Sequence, residues 1–496
     1  MMLILLIVCS AVLGAVIGLF CGLIPAFHQN NLAIILVLFF PFYAGLTGNF
    51  ADAMLGFVAL FMSAICTHSF SDIVGAMITG IPDASEVLTL QPAQRLLAKG
   101  EGMRAIEASV LGSFVGILIG LALLLPAKLL LADPINLYHT LKPFIPVVLV
   151  AVSALVILSE KGVKRKRGRK FVVLDIGKGS DGYALELNGK IVKISENGRK
   201  GVLETGNRRI EFESRQNMEN YLNREVTLTG IFVDNYMEIR TTRYLQALFV
   251  FLVAGCLGWI VLFTPLASTT TFTLLFPLFT GLFGVSGLLL NLTKPGKVPK
   301  QHEIAEPGSL RAERKVLGGA IVGTLIGIFP GITPGCGAVL IPSKNTKPEQ
   351  YIAITSAIET SAFVFNIAAL FIIQKTRSGA IATLNQMYPF TAGENGFFSP
   401  LLFLALFGAC TGALCALLLL PSLGRFVLAH AGIFMSRKIQ IGILCGMLLS
   451  VFAVTGLTGM AVLGVATLVG LVPVMLELRR IHLMGSILLP VTLALL

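Results

Sequence analysis

Gly14-Ala-Val-Ile-Gly18-Leu-Phe-Cys-Gly22-Leu-Ile-Pro25-Ala-Phe-His28-Gln29-Asn30-Asn31 has a counterpart 305 positions later, Gly319-Ala-Ile-Val-Gly323-Thr-Leu-Ile-Gly327-Ile-Phe-Pro330-Gly331-Ile-Thr333-Pro334-Gly335. Each copy runs out of an apolar helix into a polar, helix-breaking stretch, and apolar sequence resumes at Ala33 and at Ala338. Glycines every fourth residue also serve ordinary packing between membrane helices. The polar break after them is not explained by packing, because unsatisfied backbone in hydrocarbon costs several kcal/mol per group and is tolerated only where it lines a cavity. Interrupted apolar segments at matching places in two halves of a chain are the sequence pointer to a transport site. The repeat therefore predicts an all-α polytopic membrane protein with inverted repeats and re-entrant or broken helices.

Composition agrees. Hydrophobic residues make up 55% of 496 positions, charged residues 13%, and mean hydropathy is +0.84, which excludes an ordinary soluble domain. Runs close to the roughly 20 residues that cross a bilayer fall at 3–25, 105–131, 143–159, 244–264, 270–292, 316–342, 351–374, 397–422, 439–456, 459–476 and 483–496. Shorter runs at 32–48, 53–66 and 73–82 read as half-spans or re-entrant segments. The first segment has no basic residue before it and carries the glycine ladder, so it is expected to stay as a span and not be cleaved. The eight cysteines are scattered without a CxxC pattern and read as small buried side chains.

The charge of +12 is concentrated in loops, above all Lys161, Lys164, Arg165, Lys166, Arg167, Arg169 and Lys170 directly after a span. Positive-inside logic puts this block, together with the polar segment C-terminal to it, on the cytoplasmic side of the cell membrane. Hydropathy collapses there. Residues 163–243 read as a small inserted all-β, OB-like soluble domain between an N-terminal membrane repeat (1–162) and a C-terminal membrane repeat with closing spans (244–496). Strands are expected at Lys170–Ile176, Gly182–Leu187, Lys190–Ile194, Arg208–Phe212, Glu225–Val233 and Tyr236–Arg240, with turns at Asn188-Gly189, Asn197-Gly198, Gly206-Asn207 and Asp234-Asn235. Aromatics are few in the insert, and Phe171, Phe212 and Phe232 suit a strand core, so no nucleic acid is expected as a partner.

Polar and ionisable residues inside apolar sequence are the functional candidates of a membrane protein. Pro25, His28, Gln29, Asn30 and Asn31 mark the first break, where a helix starting at Asn31 would aim its positive end at an anion. Pro330, Gly331, Thr333, Pro334 and Gly335 mark the second. Pro82, Asp83 and Ser85 form a Pro/acidic turn whose Asp and Ser also fit caps of a helix beginning near Glu86. Glu359, Thr360, Ser361 and Asn366 interrupt an apolar run, and Glu359 is the candidate ligand of a coupling sodium ion or proton. Lys375-Thr-Arg-Ser-Gly379 offers a guanidinium for a carboxylate, although a cytoplasmic loop accounts for it more simply. The histidines are isolated, and HExxH, GxSxG and GxxxxGK[ST] are absent, so no enzyme, no metal centre and no other cofactor are expected.

Gly22-Leu-Ile-Pro-Ala-Phe-His-Gln-Asn-Asn-Leu-Ala33, Phe70-Ser-Asp-Ile with Gly80-Ile-Pro-Asp-Ala-Ser-Glu-Val-Leu88, Gly323 to Gly335, Lys375-Thr-Arg-Ser-Gly-Ala380, and His482-Leu-Met-Gly485 with Leu489-Pro490 resemble the large membrane subunit of tripartite tricarboxylate transporters, in particular its archaeal branch of unknown function. The resemblance covers both membrane halves and not the insert, and Ala26 stands where the family pattern has Gly. It implies a permease that moves a small anionic solute, a di- or tricarboxylate such as citrate, on an ion gradient. In bacterial relatives a small membrane subunit and an extracytoplasmic binding protein are partners. The competing expectation is a non-transporting scaffold or receptor in the lipid bilayer whose insert binds a cytoplasmic protein.

Overall fold

The computed structural model describes residues 1–25, 27–160, 168–176, 185–195, 197–205, 208–214, 217–235, 243–264, 271–293, 298–302, 314–341, 346–388 and 397–496. The chain divides into a helical unit, Met1–Glu160 with Tyr244–Leu496, and a unit Lys161–Arg243.

The helical unit contains α1 (Met2–Gly22), α2 (Gln29–Thr47), α3 (Phe50–Thr79), α4 (Leu90–Ala98), α5 (Gly102–Ala122), α6 (Leu137–Leu158), α7 (Arg243–Phe263), α8 (Thr273–Thr293), α9 (Arg314–Ile326), α10 (Pro348–Ile372), α11 (Gly379–Met387), α12 (Pro400–Ala429), α13 (Arg437–Met475) and α14 (Gly485–Leu495). Among the described residues ten of these are long and apolar enough to cross a membrane: α1, α2, α3, α5, α6, α7, α8, α10, α12 and α13.

Three expectations change here. The short runs 53–66 and 73–82 are not half-spans but parts of one 30-residue helix, α3. The polar stretch between them stays helical because Thr67, Ser69 and Ser71 donate to the carbonyls of Ser63, Ile65 and Thr67, four residues back, so each hydroxyl is satisfied without leaving the helix. The run 32–48 is likewise the full-length helix α2. The run 316–342 ends as helix at Ile326, and Ala338 continues only as a short 3₁₀ turn, Ala338–Leu340, after one helical turn at Pro334–Gly337. The runs 439–456 and 459–476 remain two helical stretches, as expected, which meet within α13 at the non-helical Gly456 (φ 60°, ψ −153°), a backbone conformation open to glycine.

The glycine ladders do pack helices, and they do so twice in the same way. Added Cβ atoms on Gly14, Gly18 and Gly22 of α1 would meet the carbonyls of Leu60, Ala64 and His68 in α3. On Gly319, Gly323 and Gly327 they would meet Ile354, Ile358 and Ala362, each 294 positions after its counterpart. A second pair of ladders repeats the scheme across the halves. Gly408 and Gly412 of α12 lie against Ala59 and Ser63 of α3, while Gly112 and Gly116 of α5 lie against Ala353 and Ala357 of α10, again 294 apart. Backbone meets backbone at these places because no side chain intervenes. Residue numbers rise together in every ladder, so each pair of helices runs parallel.

The inserted unit is all-β as expected: β1 (Gly168–Ile176), β2 (Leu185–Ile194), β3 (Lys200–Thr205), β4 (Arg208–Ser214) and β5 (Glu225–Asn235) close in the order β1-β4-β3-β2-β5. β1 pairs parallel with β4, and all other neighbours are antiparallel. Ile191, Leu203, Phe212, Met218 and Leu228 form its core. Asn188-Gly189 is not a turn: it continues β2, with Gly189 opposite Val226, where a Cβ would strike the Glu204 carbonyl. β3 had no counterpart in the sequence expectation. Asn197-Gly198 does turn, with Gly198 at φ +66°. Asp234 and Asn235 belong to β5. The strand expected at Tyr236–Arg240, the turn at Gly206-Asn207 and the side chains of Phe171 and Phe232 lie outside the described residues.

Candidate functional site

The first break is fixed by polar contacts from several helices. α2 begins two residues earlier than its sequence suggests, at Gln29, because the His28 side chain caps it: Nδ1 accepts from the Asn30 N–H at 3.1 Å. The His28 ring stacks on Phe279 of α8 with centroids 5.6 Å apart. Phe279 directly precedes a π-helical turn at Thr280–Val285, a distortion that recurs at functional sites. Thr280 Oγ1 accepts from the Asn31 amide at 3.3 Å. Asn30 Oδ1 accepts the backbone N–H of Ala380 at 2.9 Å, tying the break to the start of α11. The Phe27 carbonyl lies 2.6 Å from His68 Nε2, and Ser69 Oγ donates to Gln29 Oε1 at 3.3 Å, so α3 holds the same segment.

The second break turns at Gly331, φ +77°. Thr333 then caps the Pro334 turn, its hydroxyl accepting from the Cys336 N–H at 3.4 Å. Between the breaks lies the turn before α4, where Asp83 Oδ1 accepts from the Ser85 N–H and hydroxyl, both at 2.7 Å, and from the Glu86 N–H at 3.1 Å. Asp83 thus has the local capping role its spacing allowed, although α4 starts only at Leu90. Gly335 presses on this turn, since a Cβ there would come within 2.7 Å of the Ala84 carbonyl.

A cavity of about 240 Å³ opens where these three segments meet. His28, Gln29 and Asn30 line it from the first break, Pro330, Gly331, Thr333 and Pro334 from the second, Ser85 from the turn, and Glu359 and Asn366 from α10. At about 30 Å³ per water this is room for roughly eight waters or one small solute. The remaining sequence candidates lie elsewhere. Pro25 borders a separate small void, and Asn31 bonds Thr280. Pro82 faces a different cavity, and Asp83 bonds its own turn. Gly335 contacts the turn backbone. Thr360 donates to the carbonyls of Ser113 and Ser356, and Ser361 to that of Ala357, so both serve helix packing.

Two features go beyond the favoured sequence reading. The segment Thr376–Ser378 is a loop as favoured, yet it lines the cavity and brings in Arg377, the less favoured guanidinium. This guanidinium donates to Tyr138 Oη at 2.6 Å and lies over the same ring, and burial lowers its pKa. The second is a group of buried acids around the turn: Asp72 of α3, Asp83 and Glu86 of the turn itself, and Glu359 of α10. Asp72 within an apolar run carried the same signal that singled out Glu359. Among the described residues no three His, Cys, Asp or Glu side chains form a metal-ligand set, and no Lys or Arg pairs with Glu359.

The sequence matches the pattern of the Tripartite tricarboxylate transporter TctA family over residues 8–192 and 213–485. A curated protein of Methanocaldococcus jannaschii, "Uncharacterized protein MJ1079", is 28% identical over 153 residues, 31% of this chain and 36% of its own length. The chain thus spans about a third of that relative. No solved structure matches.

Proposed function

The chain belongs to the Tripartite tricarboxylate transporter TctA family, and from that premise we propose that it is a secondary-transport permease whose solute sits in the 240 Å³ cavity. The family is one of membrane transporter components and not of enzymes, and ten apolar helices fit a multi-pass membrane protein. The carrying observation is that both interrupted segments converge on one cavity which also holds a guanidinium and a carboxyl group. In this reading Arg377 takes a carboxylate of a di- or tricarboxylate anion, bidentate contact being its preferred mode. Backbone and side-chain donors at Gln29, Asn30 and Thr333 take the rest. Glu359, which lines the cavity beside Ser85, holds the coupling proton or sodium ion.

Halves that run in opposite senses are one architecture of alternating access, in which one repeat rocks against the other. The ladders support that. α1, α3 and α12 share one direction, α5, α9 and α10 share one direction, and the only helix joining α3 to α5 is α4, whose nine residues are too short to cross. An inverted repeat results, with the basic loops and the barrel on the cytoplasmic side. The OB-like description of the barrel is part of the same proposal, as are a small membrane subunit and an extracytoplasmic binding protein as partners. The test is flux in reconstituted vesicles: labelled citrate or succinate is expected to accumulate under an imposed sodium or proton gradient. No accumulation under either gradient, with each candidate partner added, rejects the reading.

A further inference from the structure

The turn at residues 82–89 has a second face. Ala84 and Ser85 border the 240 Å³ cavity, whereas Pro82, Val87 and Leu88 border another of about 590 Å³. Three arginines line this larger space, Arg95 of α4 and Arg479 and Arg480 after α13, and among the described residues no acidic side chain does. Arg479 is already neutralised: its Nε lies 3.2 Å from Glu160 Oε2, and it also donates to the carbonyl and hydroxyl of Ser159. The other two carry no carboxylate partner among the described residues. Arg480 donates to the Phe283 carbonyl at 3.1 Å. Burial lowers its pKa to about 10, which leaves it charged at neutral pH. Arg95 is exposed. Two unpaired cations in one concave space, with Gln91, Asn291 and Tyr351 as neutral polar groups beside them, concentrate anions.

We propose that the 590 Å³ cavity is a second anion site, a vestibule that holds a multivalent carboxylate between the transport cavity and the side of the membrane that bears Arg95. The proposal rests on the transport reading above. The Pro82–Leu88 turn is then the partition the solute passes, and Arg95 and Arg480 raise its local concentration at that partition.

Equilibrium dialysis of the purified full chain in detergent against labelled citrate tests it. The wild type is expected to bind two citrates. Arg95→Gln, which breaks no bond among the described residues, weakens one site about tenfold, the lower end of electrostatic focusing in a cleft. Arg95→Lys restores that site, and Arg377→Gln removes the other. A single site in the wild type, Arg95→Gln binding like wild type, or displacement of citrate by phosphatidylglycerol would each overturn the vestibule. Gradient-driven flux in vesicles reads the transport assignment separately, so flux with one citrate site leaves the permease standing and removes the vestibule.

Discussion

Gly412→Ala and Gly116→Ala form a matched pair of perturbations. The added Cβ at Gly412 would lie 2.5 Å from the Ser63 carbonyl, and the one at Gly116 2.5 Å from the Ala357 carbonyl. Ordinary Cβ contacts begin near 3.4 Å, so each ladder helix must retreat by about 0.9 Å. At Gly412 the nearest obstacle is main chain, which cannot rotate aside; at Gly116 the Thr360 hydroxyl lies nearer still, at 2.2 Å, and is held there by its bonds to the carbonyls of Ser113 and Ser356. Overpacking of this kind costs about 1–3 kcal/mol, and the backbone partner places both substitutions toward the upper end. Because Ser63 and Ala357 are equivalent positions in the two copies, the two losses should agree within about 1 kcal/mol. Gly442→Ala and Gly446→Ala in α13 are the controls: both face open space, and alanine there should leave stability unchanged or raise it by up to about 1 kcal/mol, the helix-propensity gain. Thermal unfolding in detergent, followed by fluorescence or circular dichroism, reads all four. If Gly116→Ala unfolds at the wild-type temperature, or if the controls fall as far as the ladder variants, the close-approach argument is wrong.

Glu160, only 3% exposed, bonds His482 Nε2 at 2.9 Å. Burial pushes its carboxyl up, but the His482 bond and the Arg479 charge outweigh that and bring it from 4.5 to about 2. The folded value lies below the unfolded one, so its contribution is complete above about pH 4.5 and fades as pH falls toward 2. At 1.36 kcal/mol per unit it amounts to about 3 kcal/mol. Glu160→Gln should therefore lower the unfolding midpoint at pH 7 and flatten its acid dependence between pH 4.5 and 2, as a pH series of melts will register. Arg377→Gln should raise the half-saturating solute concentration in vesicle uptake by about 10- to 100-fold, the scale of a lost charge-assisted bond; an unchanged value removes Arg377 from the solute. Glu359→Gln should abolish accumulation on the cation gradient while preserving solute exchange at equal concentrations, and equal loss of both would assign Glu359 to the solute.

Most of the membrane architecture was legible because its signals are covalent and local. Proline, glycine spacing and apolar length located α1, the two breaks and the long spans. What was not legible depended on three-dimensional satisfaction. Thr67 to Asp72 look like an interruption, but hydroxyls that bond the preceding turn keep α3 intact. Pro330 and Pro25 occupy matching places, yet the chain after Pro334 forms a single turn where the chain after His28 forms a full helix. In the site, the breaks announced themselves, while Arg377 stayed open between a carboxylate ligand and a plain loop residue, because a basic residue in a loop has the same composition whether it meets water or a cavity. Thr360 and Ser361 next to Glu359 share its polarity but point at α5 and α9, a difference of one helix face that residue type does not encode. In the barrel, Asn188-Gly189 gave a turn signal that the Glu204 carbonyl overrode by needing a position without a side chain.

The ladders have a mechanical consequence. Main chain held against main chain along α1 and α3, and again along α9 and α10, makes each pair a stiff beam that resists sliding and bending alike. Both beams end at Gly22 and Gly327, just short of the polar segments that border the cavity. Bending that the beams do not absorb therefore falls on the segments that border the cavity.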